Sequence, residues 1–125
     1  MKKIILDTNF LLIPFYFKVD IFSEINRFAH FKYKLFILDK TIEELEKIML
    51  EQRGKHKAAA KLALELIKVK NIGILKRGEG TVDDLLLEQS DAIIATSDIE
   101  LIKKLKDKGI KVIRLRKKKY CKLEE

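Results

Sequence analysis

Apolar residues fall into two rhythms along the chain. In five short stretches, 3–6, 35–38, 72–75, 92–95 and 111–115, they run together with little polar alternation. That pattern predicts strands covered on both faces, as parallel strands are. Between these stretches apolar positions recur at helical spacing. The segments 9–17 and 21–29 predict two helices after the first strand. Ile42, Leu45, Ile48 and Met49 mark a third, and Ala59, Leu62, Ala63, Leu66 and Ile67 a fourth beyond a break at Gly54. Leu85, Leu86 and Leu87 sit in a short helix opened by Thr81, and Ile99, Ile102 and Leu105 mark a last helix that Gly109 ends. Strands alternating with helices predict an α/β fold, a parallel sheet with helices on both faces. Right-handed crossovers narrow this to a doubly wound sheet, in which ligands collect beyond the carboxyl ends of the strands.

No linker or repeat divides the 125 residues, so 1–116 is read as one domain and 117–125 as a basic tail. Charge sharpens the picture. Lys and Arg number 27 against 19 Asp and Glu, a net charge of +8, which favours a polyanionic partner and nucleic acid first. The surplus is concentrated late: Lys103, Lys104, Arg114, Arg116, Lys117, Lys118 and Lys119 lie in a stretch, 103–122, whose lone acid is Asp107. This is either a solvated helix face with a frayed tail or a surface that grips RNA. The single cysteine, Cys121, excludes an internal disulfide and suits a reducing cytosol. Lys2 and Lys3 followed by apolar residues imitate a signal peptide, but Asp7 and Asn9 interrupt the run, and 10–17 is too short to span a bilayer. The expectation is a soluble, cytoplasmic protein with no membrane partner.

The first strand runs through Ile4, Ile5 and Leu6 straight into Asp7, although an ionised carboxylate is costly to desolvate. Other acids follow the same logic. Asp39, Glu43 and Glu44 come after the second strand, Asp83 and Asp84 open the short helix, and Asp98 follows the fourth strand, with Glu100 two residues on. All are delivered at or near one rim. Crowded carboxylates repel one another unless a cation neutralises them, and oxygen-rich clusters suit Mg²⁺ or Mn²⁺. A metal-charged acidic rim on a basic protein suggests cutting a phosphodiester. Each acid also has a purely structural reading. Asp7 would cap the following helix. Glu44 would close a capping box with Thr41, unless Asp39 is the N-cap. Asp84 has box-like spacing from Thr81, Asp83 would favour the helix dipole, and Ser97 with Glu100 would form another box. Gathered at one rim, the acids favour a site.

The stretches ILDTNFLL at 5–12, TIEELEKI at 41–48, VDDLLLE at 82–88 and IIATSDIELIKKL at 93–105 resemble the PIN-domain nucleases. The likeness spans residues 2 to about 116. It is nearest to the PIN proteins of small-subunit ribosomal RNA processing and more distant from the toxin ribonucleases of toxin–antitoxin pairs. The resemblance implies a three-layer α/β/α fold on a five-stranded parallel sheet, and cleavage of single-stranded RNA with Mg²⁺ or Mn²⁺. It implies Asp7, Glu44, Asp83 and Asp98 as the acids, with Asp84 the alternative to Asp83 and Glu100 an outer carboxylate. Asn9 and Ser97 stand where ligands or water would be oriented. Asp91 is rejected, because IIATSD reads as the fourth strand and its exit. The partners implied are RNA and either an antitoxin or a ribosome-assembly protein, and two copies would pair through the apolar 10–17.

Other chemistry is thin. His30 and His56 read as surface residues. Gly78 and Gly80 make a loop without the G-K-[ST] of a phosphate cradle. Phe15, Tyr16 and Phe17 read as core or dimer contact rather than as a platform for stacked bases. A binding or assembly factor that keeps the fold without cutting is the competing class. A phosphoacceptor receiver domain would need an acidic pair after the first strand, where only Asp7 stands.

Overall fold

Ile4, Ile5 and Leu6 are wholly shielded from solvent, and the strand they build lies in the middle of the sheet. The computed structural model describes residues 1–76, 79–89 and 91–125, so Gly78 lies outside the described residues. Strand β1 (Lys2–Leu6) is flanked by β2 (Tyr33–Leu38) and by β4 (Ala92–Ala95). The full order is β3-β2-β1-β4-β5-β6, with β3 at Gly73–Leu75, β5 at Val112–Arg116 and β6 at Tyr120–Glu124. The first five strands are parallel, as their apolar runs predict, and each parallel link is a helical crossover.

Two cores give the three layers. On one face, Ile4, Leu6 and Ile37 pack beneath α1 (Thr8–Leu11), α2 (Ile13–Phe17), α3 (Ile21–Phe28), α4 (Asp39–Glu51) and α5 (Lys55–Val69). On the other, Ile5, Ile94 and Val112 pack beneath α6 (Val82–Leu87) and α7 (Ile99–Asp107). Alternate residues of β1 therefore serve opposite cores, as the period of a strand requires. Helix α7 ends as read: Gly109 takes φ +75°, its N–H donates to Lys106 and that of Ile110 to Leu105, the paired bonds of a Schellman end. No helix among the described residues is long and apolar enough to cross a membrane.

Three expectations need correction. The sheet has six strands, because residues 120–124 of the expected tail pair antiparallel with β5. Lysines obscure a period-two pattern there, in which Cys121 and Leu123 face the core under α3 while Lys122 faces away. Glu24 of α3 secures this edge, accepting from the Cys121 N–H (2.9 Å), and Arg27 donates to the Cys121 carbonyl (3.2 Å). Cys121 is therefore buried, its thiol pushed up to about 12 by burial and then by the Glu24 charge, and it is inert. The expected helix at 9–17 is two, since Pro14 lacks an N–H to continue a ladder and falls in the first turn of α2. Finally, the aromatic end of the apolar run 10–17 is not core: Phe10, Leu11 and Ile13 are buried, but Tyr16 and Phe17 are exposed.

Candidate active site

Strand order reverses between β1 and β4, so a crevice opens beyond their carboxyl ends. Asp7 is the first residue past β1. Its N–H donates to the carbonyl of Ala95, the last residue of β4, at 2.8 Å, which anchors it at the switch point. The residue is only 5% exposed. One carboxylate oxygen accepts from the Thr8 N–H (2.8 Å); the other accepts from the Thr96 hydroxyl (2.7 Å) and the Asn9 amide (3.2 Å). Asp7 does cap α1, then, but α1 has four residues and the carboxylate lies where sheet ligands bind. Burial pushes its pKa from 3.8 to about 6 against the pull of the Thr96 and Thr8 bonds, and the charges of Asp83 and Glu44 push the same way.

The other acids arrive from separate elements. Glu44 stands on α4, where the Thr8 hydroxyl donates to it at 2.5 Å. The Thr41–Glu44 capping box does not form: α4 begins at Asp39 with Leu38 as N-cap, and Thr41 is buried inside the helix, 3.2 Å from the Thr8 hydroxyl. Asp39 accepts from the Lys40 N–H and is not the N-cap either. Asp83 lies half-buried in the first turn of α6. Burial raises its pKa and the Asp98 charge raises it further, while Lys104 lowers it and Asp84 and Glu100 raise it. Asp84 is exposed, and its N–H donates to the Thr81 hydroxyl that caps α6 (3.1 Å). Asp98 caps α7 through the N–H groups of Glu100 (3.0 Å) and Leu101 (3.2 Å), so the Ser97–Glu100 box is replaced by a cap one residue later. The Ser97 N–H instead donates to the Asn9 side-chain carbonyl at 2.9 Å.

Three threonines hold the acids in place, although sequence reading gave Thr8 and Thr96 no role and Thr41 only that of a cap. Thr96, fully buried, donates to Asp7 and accepts from the Asp98 N–H (3.2 Å), joining two acids through one hydroxyl. The Thr8 hydroxyl ties α1 to α4, donating to Glu44 and lying 3.2 Å from the Thr41 hydroxyl. The signal was present: a threonine follows the acid directly in DTN and precedes it by two residues in ATSD. Thr96→Val keeps the shape but strands the Asp98 N–H, and should cost about 1–3 kcal/mol in denaturant unfolding.

The basic residues divide. Lys103 and Lys104 are exposed on α7, and the Lys104 charge pulls the Asp83 pKa down. Arg114 and Arg116 turn to Glu124 (3.9 and 3.4 Å), with Lys106 at 2.5 Å from the same carboxylate. Lys117, Lys118 and Lys119 form the turn between β5 and β6. Asp91 is exposed beside Met1 and Lys2, at the amino end of the strands and away from the rim.

Charge thus couples Asp7 to Asp83 and Glu44, and Asp83 to Asp98, across four elements. The acids nevertheless stop short of a preformed cage: among the described residues, no three Asp, Glu, His or Cys side chains converge on a common metal position.

Comparison with known proteins agrees with this architecture. A family model described as a PIN like domain matches residues 4–118. Ribonuclease VapC4 of Methanocaldococcus jannaschii is 37% identical over 126 residues, covering 96% of this chain and 95% of that protein. Ribonuclease VapC9 of Archaeoglobus fulgidus is 32% identical over 112 residues, covering 86% and 78%. The solved PIN domain endonuclease Utp24 superposes with a TM-score of 0.79 at 22% identity, over 98% of this chain and 90% of that one, a likeness of fold. With the match running from β1 to the turn after β5, the chain belongs to the family of PIN-like domains.

Proposed function

We propose that the protein is a divalent-metal-dependent endoribonuclease that cuts single-stranded RNA at the rim beyond β1 and β4. One observation carries the proposal. Asp7 is a buried carboxylate at the switch point with no Lys or Arg bonded to it among the described residues, and two further acids raise its pKa. A carboxylate held there as an anion calls for positive charge, and no described Lys or Arg is paired with it.

The residues fit Mg²⁺ or Mn²⁺. All the donors are hard oxygens, and Mg²⁺ in particular takes few carboxylates directly and keeps several waters, so a closed cage is not required. Asp7, Glu44, Asp83 and Asp98 would hold the ion, directly or through water, with Glu100 outside them. When bound, such an ion supplies Lewis acidity, activating water and offsetting charge on a phosphodiester. The chain's own part is positioning. Thr96, Asn9 and the Thr8 N–H fix the Asp7 carboxylate from three sides, and Thr8 restrains Glu44. Lys104, whose charge reaches Asp83, and Lys103 beside it in sequence offer positive charge to an RNA backbone that the acids alone would repel.

The test is cleavage of a labelled single-stranded RNA. Internal cuts are expected with Mn²⁺ or Mg²⁺, none in chelator, and fewer in the duplex of the same sequence. Equal cutting in chelator, or none with either ion while RNA still binds, would favour the non-catalytic binding factor. Between the two settings, the relatives named VapC ribonucleases favour a toxin-type enzyme restrained by a protein antitoxin in the cytoplasm. The ribosomal RNA role rests on motif resemblance.

A further inference from the structure

The hairpin that closes the sheet is built at a conformational cost. The Lys119 N–H donates to the Arg116 carbonyl (3.0 Å), and the two residues between, Lys117 and Lys118, both take positive φ, +53° and +56°. Those are the dihedral signs of a type I′ turn, which asparagine and glycine fill cheaply and lysine does not. All three lysines of the turn are exposed, and among the described residues none is paired with an acid. Their placement follows from the register. Leu6 pairs with Ala95, and Ala95 with Ile113, so Asp7, Thr96 and Arg114 lie level across the sheet. Arg116 is two residues further toward the rim, and the turn projects beyond it. Two strand spacings, about 10 Å, separate β5 from β1. The turn therefore stands above and beside the acidic rim, on the flank nearest α2.

An aromatic ring completes this flank. Lys118 Nζ lies 6.0 Å from the centroid of Phe17, which ends α2 and is 40% exposed, outside both cores. Lys18 follows Phe17 and is itself at φ +54°. A solvent-facing ring beside lysines that hold no acid offers a face for a base and charges for the phosphates on either side of it.

We propose that Phe17 and the Lys117–Lys119 turn form a clamp for single-stranded RNA, holding the strand beside the cutting site by one stacked base and its flanking phosphates. This deepens the nuclease reading, on which it rests; Phe17, exposed and outside both cores, is not the core residue that the sequence suggested. The clamp needs unstacked bases, so it selects single strands, and it acts without the metal.

Binding of a fluorescent oligouridylate to the full-length chain in chelator separates the clamp from catalysis. Lys117→Asn with Lys118→Gly installs the dipeptide the turn prefers, so the melting temperature should hold or rise. The same variant should flatten the log–log salt dependence of RNA affinity by about 1.4, because two phosphates are no longer neutralised and each accounts for about 0.7. Phe17→Ala should weaken single-strand binding about tenfold, Phe17→Trp should restore it, and neither should alter binding of a duplex. Unchanged affinity and salt slope in both the lysine and the Phe17→Ala variants would overturn the clamp. So would a wild-type chain that does not bind the single strand. Because no cleavage occurs in chelator, that failure would leave the nuclease reading to be judged by Asp7→Asn.

Discussion

Asp7→Asn should abolish metal-dependent RNA cleavage, by at least ~100-fold, without unfolding the protein. Asparagine is nearly isosteric but carries no negative charge, so the rim loses the carboxylate nearest its centre. The fold should survive because the bonds around position 7 can be rearranged. The asparagine oxygen still accepts from the Thr8 N–H, and its amide donates to the Thr96 hydroxyl. Thr96 then turns its proton to the Asn9 carbonyl oxygen, already 3.4 Å away, and only the long Asn9 amide bond is given up. Stability should hold or rise in the absence of metal, since burial raises the Asp7 pKa from 3.8 to about 6. At neutral pH that shift corresponds to a penalty of up to about 3 kcal/mol, which the neutral side chain escapes. Cleavage assays in Mn²⁺ and thermal melts in chelator, run on the same preparation, check both halves. Loss of activity together with a collapse in melting temperature would assign Asp7 to the fold instead.

The metal-free protein should lose stability as pH rises from about 4 to about 6.5, and a divalent ion should restore it. The sign follows from proton counts. With a folded pKa near 6 and an unfolded value of 3.8, the folded chain binds more protons through this window, so raising pH favours unfolding. The penalty is absent below the unfolded value and complete above the folded one. Asp83, also raised, adds in the same direction. Asp20, Glu24 and Glu124 are lowered, by Ser23, by Arg27 and by Lys106 respectively, and oppose the trend. Their contribution is present above the unfolded carboxylate range and is lost at more acid pH. Mn²⁺ binds the deprotonated acids, so its stabilisation should be larger at about pH 8 than at about pH 5. At a hundred times its dissociation constant it should add about 2.7 kcal/mol, roughly 10 °C in melting temperature for a domain of this size. Calorimetry across pH with and without Mn²⁺ measures this. A shift independent of pH would mean that the ion binds away from these acids.

Much of the candidate site is written in short motifs. Ile-Ile-Leu running into Asp7 announced both the central strand and its carboxylate, because few residues are less suited to end a buried strand without a purpose. The acids on α4, α6 and α7 were legible for the same reason, each following a strand or opening a helix at one rim. What escaped was set by tertiary partners. Thr96 looks like any strand-end threonine until β1 and β4 lie side by side and one hydroxyl meets Asp7 and the Asp98 N–H. The cap of α7 fell on Asp98, not on Ser97, once Asn9 had taken the Ser97 N–H. Strand β6 was hidden because Lys122 and Glu124 alternate with its core positions, and its pairing with β5 depends on a turn built from lysines. Pro14, by contrast, could have marked the break between α1 and α2 from sequence alone.

The nuclease reading needs one cation shared by carboxylates that folding brings within electrostatic reach of each other. Crystals soaked in Mn²⁺ and measured at the manganese absorption edge test this directly. The expected result is an anomalous peak at coordination distance from the Asp7 carboxylate, absent from Asp7→Asn crystals. A map without density at that rim, at millimolar Mn²⁺ and with Asp7 still bonded only to Thr8, Asn9 and Thr96, would contradict it.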